Sequence, residues 1–400
     1  MKKLAFLASL VLIFVIPWEN TVLLRGIGTL SRLVGLLTAG LWILAVVIEG
    51  NMRRPTLFHA LVAAFVGWNA LSLFWTVDPE TTAEAVWTYG QLLILVFLIW
   101  DLYSTTPAIR AGLQAYVLGA YVALGSIMFS YLTDRAGTML RYSIAGSNAD
   151  TAGLLLALGM PIAWGLALVQ TQRGSGGLLR WLNFAYLPIA FLGITLTATR
   201  AALITTVPAI LFAVASLGRL SLGRRLFVAA LTIAGVVALL PLVPATSVER
   251  LLTTGTEIQS GGLGGRGHIW RMGVQVYGEH PIIGVGSGAY KAAVGIGSVA
   301  HNTFLSVLVE LGIVGFALFL AILAVVAILA LKHPPWGVRF WWTLLGMWAL
   351  AGSSMTWEGK KFTWVILTLA AASGAVEQGV RAVSSRRDTP MKKGASPESR

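Results

Sequence analysis

Cysteine is absent from the 400 residues, which excludes disulfides, thiolate catalysis and sulfur-ligated metals. Charge is almost as scarce, with 11% of residues charged where soluble globular domains carry about 25%. Alternating ten-residue apolar segments, the mark of an outer-membrane barrel, are missing. No clustered His/Asp/Glu set stands out in the loops, so metal chemistry is not expected. The nearest acidic pair is Asp78 with Glu80 in "TVDPETT", and helix-starting acids after a turn are its simpler account.

What the chain has instead is apolar length. Hydrophobic residues make up 56% of it, and the mean hydropathy is +0.79. Repeated runs of about 17–25 residues point to an all-α polytopic membrane protein. The opening "MKKLAFLASLVLIFVIPW" is similar to a signal peptide but lacks a small-x-small cleavage site, so it reads as a retained first helix. Apolar runs place helices near 4–18, 33–49, 57–76, 85–103, 106–132 and 151–170. Six more fall near 182–198, 201–218, 226–244, 302–331, 340–357 and 362–379. These twelve spans divide the chain into helices 1–9 (1–244), an outer loop with an amphipathic helix (245–301), helices 10–12 (302–379) and a disordered tail (380–400).

Charge orients the bundle. One face receives 18 of the 29 Lys and Arg, from Lys2 and Lys3 through Arg224 and Arg225 to the basic tail "RAVSSRRDTPMKKGASPESR". The positive-inside rule makes that face cytoplasmic, with both termini on it. The net charge of +13 is spread over short loops, so orientation accounts for it and nucleic acid is not an expected partner. Orientation does not explain the other face. There the large loop carries Arg250, Arg266, Arg271 and Lys291, a basic group that calls for an anion.

Three stretches carry candidate chemistry. In "TLTATRAALITT" Arg200 sits between apolar runs with no loop around it. One helix over 182–217 would be about 54 Å long, against a hydrocarbon thickness of ~30 Å. The chain therefore turns back near Arg200 and leaves it at headgroup depth. It either snorkels to lipid headgroups or faces a lipid-borne anion. In "GGLGGRGHIWRMGVQVYGEHP" a glycine-rich approach leads to Ile269, Met272 and Val276 at helical spacing, an amphipathic helix expected to lie on the membrane. Its N-terminus, with Arg266 beside it, suits phosphate. The following "GVGSGAY" has no strand before it and is not a nucleotide fingerprint. In "AHNTFLSVLVELGIVG" Asn302 is a favoured N-cap. His301 is either an interfacial residue or a general base suited to taking a proton from a hydroxyl. Glu310, about 180° around the helix from His301, is expected to meet another helix or a cavity rather than the histidine.

Together these stretches, with "WNALSLFWTVDPETTAEAVW" and "AGSNADTAGLLLALGMPIAW", resemble the bacterial O-antigen ligase and polymerase superfamily. Thr199 stands where members often have serine. The resemblance implies a GT-C-like membrane glycosyltransferase that needs no cofactor. It would act in the inner membrane, with its active site facing the periplasm. The donor would be a glycan on undecaprenyl diphosphate, held by Arg200 and Arg266 with Arg271 a weaker candidate. His301 would be the base that activates the acceptor hydroxyl, with inversion at the anomeric carbon. Twelve spans and one dominant outer loop lean toward a ligase, whose acceptor is a sugar of lipid A–core. A polymerase, which lengthens carrier-linked chains, is the alternative. Arg135 with Gly146 and Arg250 with Gly261 have a spacing associated with some polymerases, but 44 glycines make such spacings easy to find. A transporter lined by Asn69, Gln91 and Glu310 is the reading from a different class.

Overall fold

The computed structural model describes residues 1–26, 28–134, 139–175, 177–243, 245, 248–249 and 265–387. The first apolar runs form α1 (Lys2–Val15), α2 (Leu30–Glu49), α3 (Leu57–Leu71), α4 (Pro79–Leu102), α5 (Thr106–Thr133) and α6 (Ala149–Gln172). Then come α7 (Gly177–Leu196), α8 (Arg200–Ser216) and α9 (Leu222–Leu239), the amphipathic α10 (Arg266–Glu279) and the short α11 (Tyr290–Val294). The last three are α12 (Thr303–Ala330), α13 (Pro335–Gly352) and α14 (Lys361–Arg387). Among the described residues, nine helices are long and apolar enough to cross a membrane: α1 to α8 and α12. The other three long helices, α9, α13 and α14, occupy expected positions but are not among the nine. The runs of α13 and α14 are diluted by Arg339 with several tryptophans and by Lys361 with Glu377. The chain is an all-α polytopic membrane protein, and its strand content among the described residues is one two-residue hairpin, Leu23–Leu24 against Gly28–Thr29.

The middle of the bundle is α6. It is apolar all round and 94% of its membrane-length window is buried, as a central helix must be. It packs on α5, α7, α8 and α13, and α1 is seated in the bundle against α2 and α5. Close backbone approach explains two small residues. A Cβ at Gly119 of α5 would lie 2.0 Å from the carbonyl oxygen of Phe14, and one at Gly159 of α6 would lie 2.3 Å from the Tyr186 hydroxyl.

Caps set the helix starts that apolar runs alone place poorly. Asp78 accepts from the Thr81 backbone N–H at 3.2 Å and its hydroxyl at 2.7 Å, with Pro79 at the first helical position. The cap starts α4 six residues earlier than its hydrophobicity suggests. Pro335 likewise starts α13 five residues early. At the other end, α14 continues to Arg387, so the expected disorder from 380 onward is corrected for 380–387. That segment extends a helix already nucleated by packing, whereas composition alone reads only its polarity. Residues 388–400 lie outside the described residues, as do Arg135, Arg250 and Gly261.

Two further features depart from the sequence expectation. The apolar stripe of α10 does not lie on lipid: Ile269, Met272, Val276 and Tyr277 pack against Val285, Tyr290, Val294, Ala300 and Val309 of the same chain. A helical stripe specifies an apolar partner, not which one. In addition, α12 is broken at Gly312, with φ 64° and ψ −169°. The segment 281–288 lies along the break and takes up its backbone groups. Ile313 N–H donates to Pro281 O at 2.9 Å, and Gly286 N–H and Val285 N–H donate to Glu310 O and Val309 O at 2.8 and 3.1 Å. The Trp68 indole donates to Leu311 O at 3.0 Å. Irregular backbone at this depth is tolerated only where protein satisfies it, as here.

Candidate active site

Four helices begin at one place. The chain turns back at Arg200, as its length requires: α7 ends at Leu196, α8 starts at Arg200, and three residues make the reversal. Thr199 is the N-cap position, 1% exposed, and its hydroxyl is the hub of the turn. It donates to Ala149 O at 3.0 Å, at the start of α6, and meets the Thr197 hydroxyl at 2.9 Å. The guanidinium of Arg141 donates to Thr199 Oγ1 at 2.9 Å and to Thr197 O at 3.0 Å. The same Arg141 is ion-paired to Asp150, in the first turn of α6. Asn148 caps that turn, accepting from Thr151 N–H at 2.7 Å.

Asp150 then links to the next element. Arg266, the first residue of α10, places its guanidinium 3.4 Å from Asp150 Oδ2, although 116 residues separate the two in sequence. One carboxylate therefore holds two arginines and ties α6 to α10. His301 completes the group from the start of α12. It is half-buried, its Nδ1 is buried with no hydrogen-bond partner, and it lies in the field of both Arg266 and Asp150. Burial pushes the His301 imidazole below its ordinary value and the Arg266 charge pushes it further down, while Asp150 opposes them. Near neutral pH the ring is accordingly uncharged and able to accept a proton.

The backbone around His301 is fixed from both sides. Trp270 of α10 donates to Ala300 O at 2.9 Å, and Asn302 accepts from Leu305 N–H at 3.1 Å as the expected N-cap. The Thr303 hydroxyl donates to Met355 O at 2.8 Å. Among the described residues only two non-glycines have positive φ, Ala198 and His301, both at 47°. Left-handed backbone at an L-residue costs on the order of 1–3 kcal/mol and persists where the surroundings hold it. Both instances fall in this one cluster.

The structure thus brings Arg266, His301 and the Thr199–Arg200 turn to one cluster. It does not bring Arg271, which is exposed and lies five residues, about 140°, around α10 from Arg266. Sequence reasoning missed Arg141 and Asp150. Arg141 is one of the basic residues on the face that should be poor in them, and Asp150 follows a capping asparagine in the quoted "AGSNADTAG" stretch. Neither signal ranked them above their neighbours.

Two of the three polar residues proposed to line a pathway, Asn69 and Glu310, are occupied otherwise. Glu310 accepts from Gly288 N–H at 2.6 Å and from the Ser306 hydroxyl at 3.2 Å. Asn69 accepts from the Ser287 hydroxyl at 2.6 Å. Both secure the "GVGSGAY" segment beside the broken turn of α12, so Glu310 meets a loop rather than another helix.

Known proteins fit this picture. Residues 185–320, which contain Arg200, Arg266 and His301, match the family described as O-Antigen ligase. The chain is similar to the exopolysaccharide production protein ExoQ of Rhizobium meliloti, 25% identical over 313 residues, spanning 71% of this chain and 68% of that protein. It is also similar to the Na(+)/H(+) antiporter NhaA of Albidiferax ferrireducens, 30% identical over 134 residues, 30% of this chain and 32% of that one. The matched region contains Arg200, Arg266 and His301, and the wider likeness to ExoQ extends over most of the chain, so the chain is similar to proteins of the O-antigen ligase family.

Proposed function

We propose that the cluster transfers a glycan from a lipid diphosphate to a sugar hydroxyl at the outer face of the inner membrane. The observation that carries this reading is the meeting of Arg266, Arg141 and Asp150 with a half-buried His301 whose Nδ1 has no hydrogen-bond partner. The arginines form a cationic seat, to which four helix N-termini add their positive ends. Asp150 orients that seat without neutralising it, since one carboxylate faces two guanidinium groups. Arg200, one residue from the Thr199 hub, supplies a further cation. Arg271 is assigned at most an outer role, in guiding the anionic donor.

The chemistry balances without an enzyme nucleophile. The acceptor oxygen attacks the anomeric carbon and its proton passes to His301. The bond to the diphosphate breaks on the opposite side, and the leaving group departs with the electron pair. Its new charge falls to the arginines. Configuration at the anomeric carbon inverts. Asp78 is spent as the cap of α4, so the acidic pair is given no part in this step.

The two acceptors considered from sequence remain distinguishable. ExoQ, similar over most of the chain, is an exopolysaccharide production protein, which favours lengthening of a carrier-linked glycan. The family description favours the ligase, with lipid A–core as acceptor. We take the first as the leading reading, a change from the sequence-based preference. The test is purified protein in nanodiscs given undecaprenyl-diphosphate glycan with and without lipid A–core, with products read by gel and mass spectrometry. Carrier-linked chains growing without lipid A–core are expected. Glycan appearing only on lipid A–core would establish the ligase, and no transfer to either would end the reading.

A further inference from the structure

Away from the arginines, α2 leans on α1 and leaves a cleft toward α4 of about 590 Å³. Much of its wall is apolar, with Leu36 and Ala39 of α2 facing Leu92, Leu95 and Leu98 of α4, while Thr88 and Gln91 of α4 add polar groups toward the mouth. Gly35 and Ala39, four residues apart on one face of α2, keep that wall thin. Its mouth is cationic. Arg32 and Lys360 have no ion-pair partner among the described residues, and Lys361 is paired with Glu19 at 2.8 Å. Glu84 is the other carboxylate there. From Glu84 to Leu98 the cleft follows α4 for about 21 Å, more than half of the ~30 Å hydrocarbon thickness.

A slot with charge at one end and hydrocarbon along its length is complementary to a lipid phosphate. Its volume is too small for the several acyl chains of lipid A and takes the phosphate-proximal part of a single chain. It is also continuous with the reaction site. A second cavity of about 190 Å³ shares Glu19, Asn20 and Lys360 with the cleft and reaches Asn148 and Thr151, which flank Asp150. The donor diphosphate needs the arginine seat, so a lipid in the cleft is a second lipid, approaching the same centre from another side.

We propose that the α2–α4 cleft seats the phosphate and the adjoining isoprene units of the acceptor's carrier lipid, so that the protein holds two prenyl diphosphates at once. This rests on the glycan-transfer reading above. It gives that reading an acceptor subsite and makes the acceptor carrier-linked.

The test counts lipids on the full chain in phosphatidylcholine nanodiscs, using undecaprenyl diphosphate without glycan and native mass spectrometry. Wild type is expected to bind two. Ala39→Trp, which fills the slot, should bind one and lose chain lengthening at least tenfold, while its thermal unfolding stays within a few degrees of wild type. Arg32→Glu combined with Lys360→Glu leaves the slot open but reverses its mouth, and should also bind one. Arg200→Ala should lose the other lipid. If that loss fails while the slot variants behave as stated, the donor assignment falls and the cleft stands. If the double charge variant still binds two, or if phosphatidylglycerol at equal mole fraction displaces the second lipid from wild type, the cleft is not a prenyl-diphosphate site.

Discussion

Arg266 reaches Asp150 across 116 residues of sequence, and that 3.4 Å contact sets two opposed charges beside His301, whose imidazole burial pushes down most. Arg266 pushes the imidazole down and Asp150 pushes it up, so the two partners of one ion pair act on the base with opposite sign. A single arginine near a histidine would simply depress it. Here the pairing keeps a strong cation beside the imidazole while limiting how far it is depressed.

The first prediction follows from those signs. A base works when unprotonated, so activity should fall as pH drops through the His301 value, which lies below the ordinary 6.5. Arg266→Gln removes a depressing charge and should move the acid limb of the pH–rate profile to higher pH. Asp150→Asn removes a raising charge and should move it lower. Residual turnover is enough to locate the limb in each variant. Shifts in the same direction for both would remove His301 from the role of base.

Thr199 gives the second. Its buried hydroxyl bonds to Ala149 O, Thr197 and Arg141, so Thr199→Val keeps the shape and leaves those partners unmet. A loss of about 1–3 kcal/mol in stability is expected, together with a large drop in activity as Arg141 loses its seat. Thr199→Ser should behave as wild type, because the hydroxyl is what the turn uses. Thermal unfolding in nanodiscs and the transfer assay measure both effects. A valine variant as active as wild type would make the hub unimportant to the site.

How far the sequence reaches is clear from which features were found. The reversal at Arg200 followed from length alone, since no bilayer is thick enough for a helix over 182–217. The caps Asp78 and Asn302 were visible because their chemistry is local. Arg141 and Asp150 were not ranked because their significance lies in meeting each other and Arg266, and composition carries no trace of a contact 116 residues away. The partner of the α10 stripe was misjudged for a similar reason: lipid and a buried Val285–Ala300 segment are equally apolar. The break in α12 left no mark either. Gly312 sits in an unbroken apolar run, and glycine is common in membrane helices.

Lysine in place of arginine is the third prediction. Arg200→Lys and Arg266→Lys preserve charge but lose the planar two-point fork that matches a phosphate. Transfer should drop at least tenfold in each, and donor saturation should need more lipid. Restoration of full turnover by lysine would reduce these residues to general surface charge. Arg271→Lys, exposed and away from Asp150, should cost little, which sets the scale for the other two.

The last prediction separates structure from transport at Glu310. Its carboxylate holds Gly288 N–H at 2.6 Å, and the segment it secures repairs the broken turn of α12. Gly312→Ala should be strongly destabilising on two grounds: its φ of 64° is poorly accessible to alanine, and a Cβ there would come within 2.2 Å of Ile282 O. Gly284→Ala faces the same pair of penalties, with φ 73° and Glu310 O at 2.4 Å. Glu310→Gln retains an acceptor for Gly288 and should lose little activity, whereas Glu310→Ala should lower the thermal midpoint and the transfer rate together. A transport role would instead make the carboxylate's charge essential. The glutamine variant would then fold normally yet fail, and a proton- or ion-coupled flux assay in liposomes would show the loss.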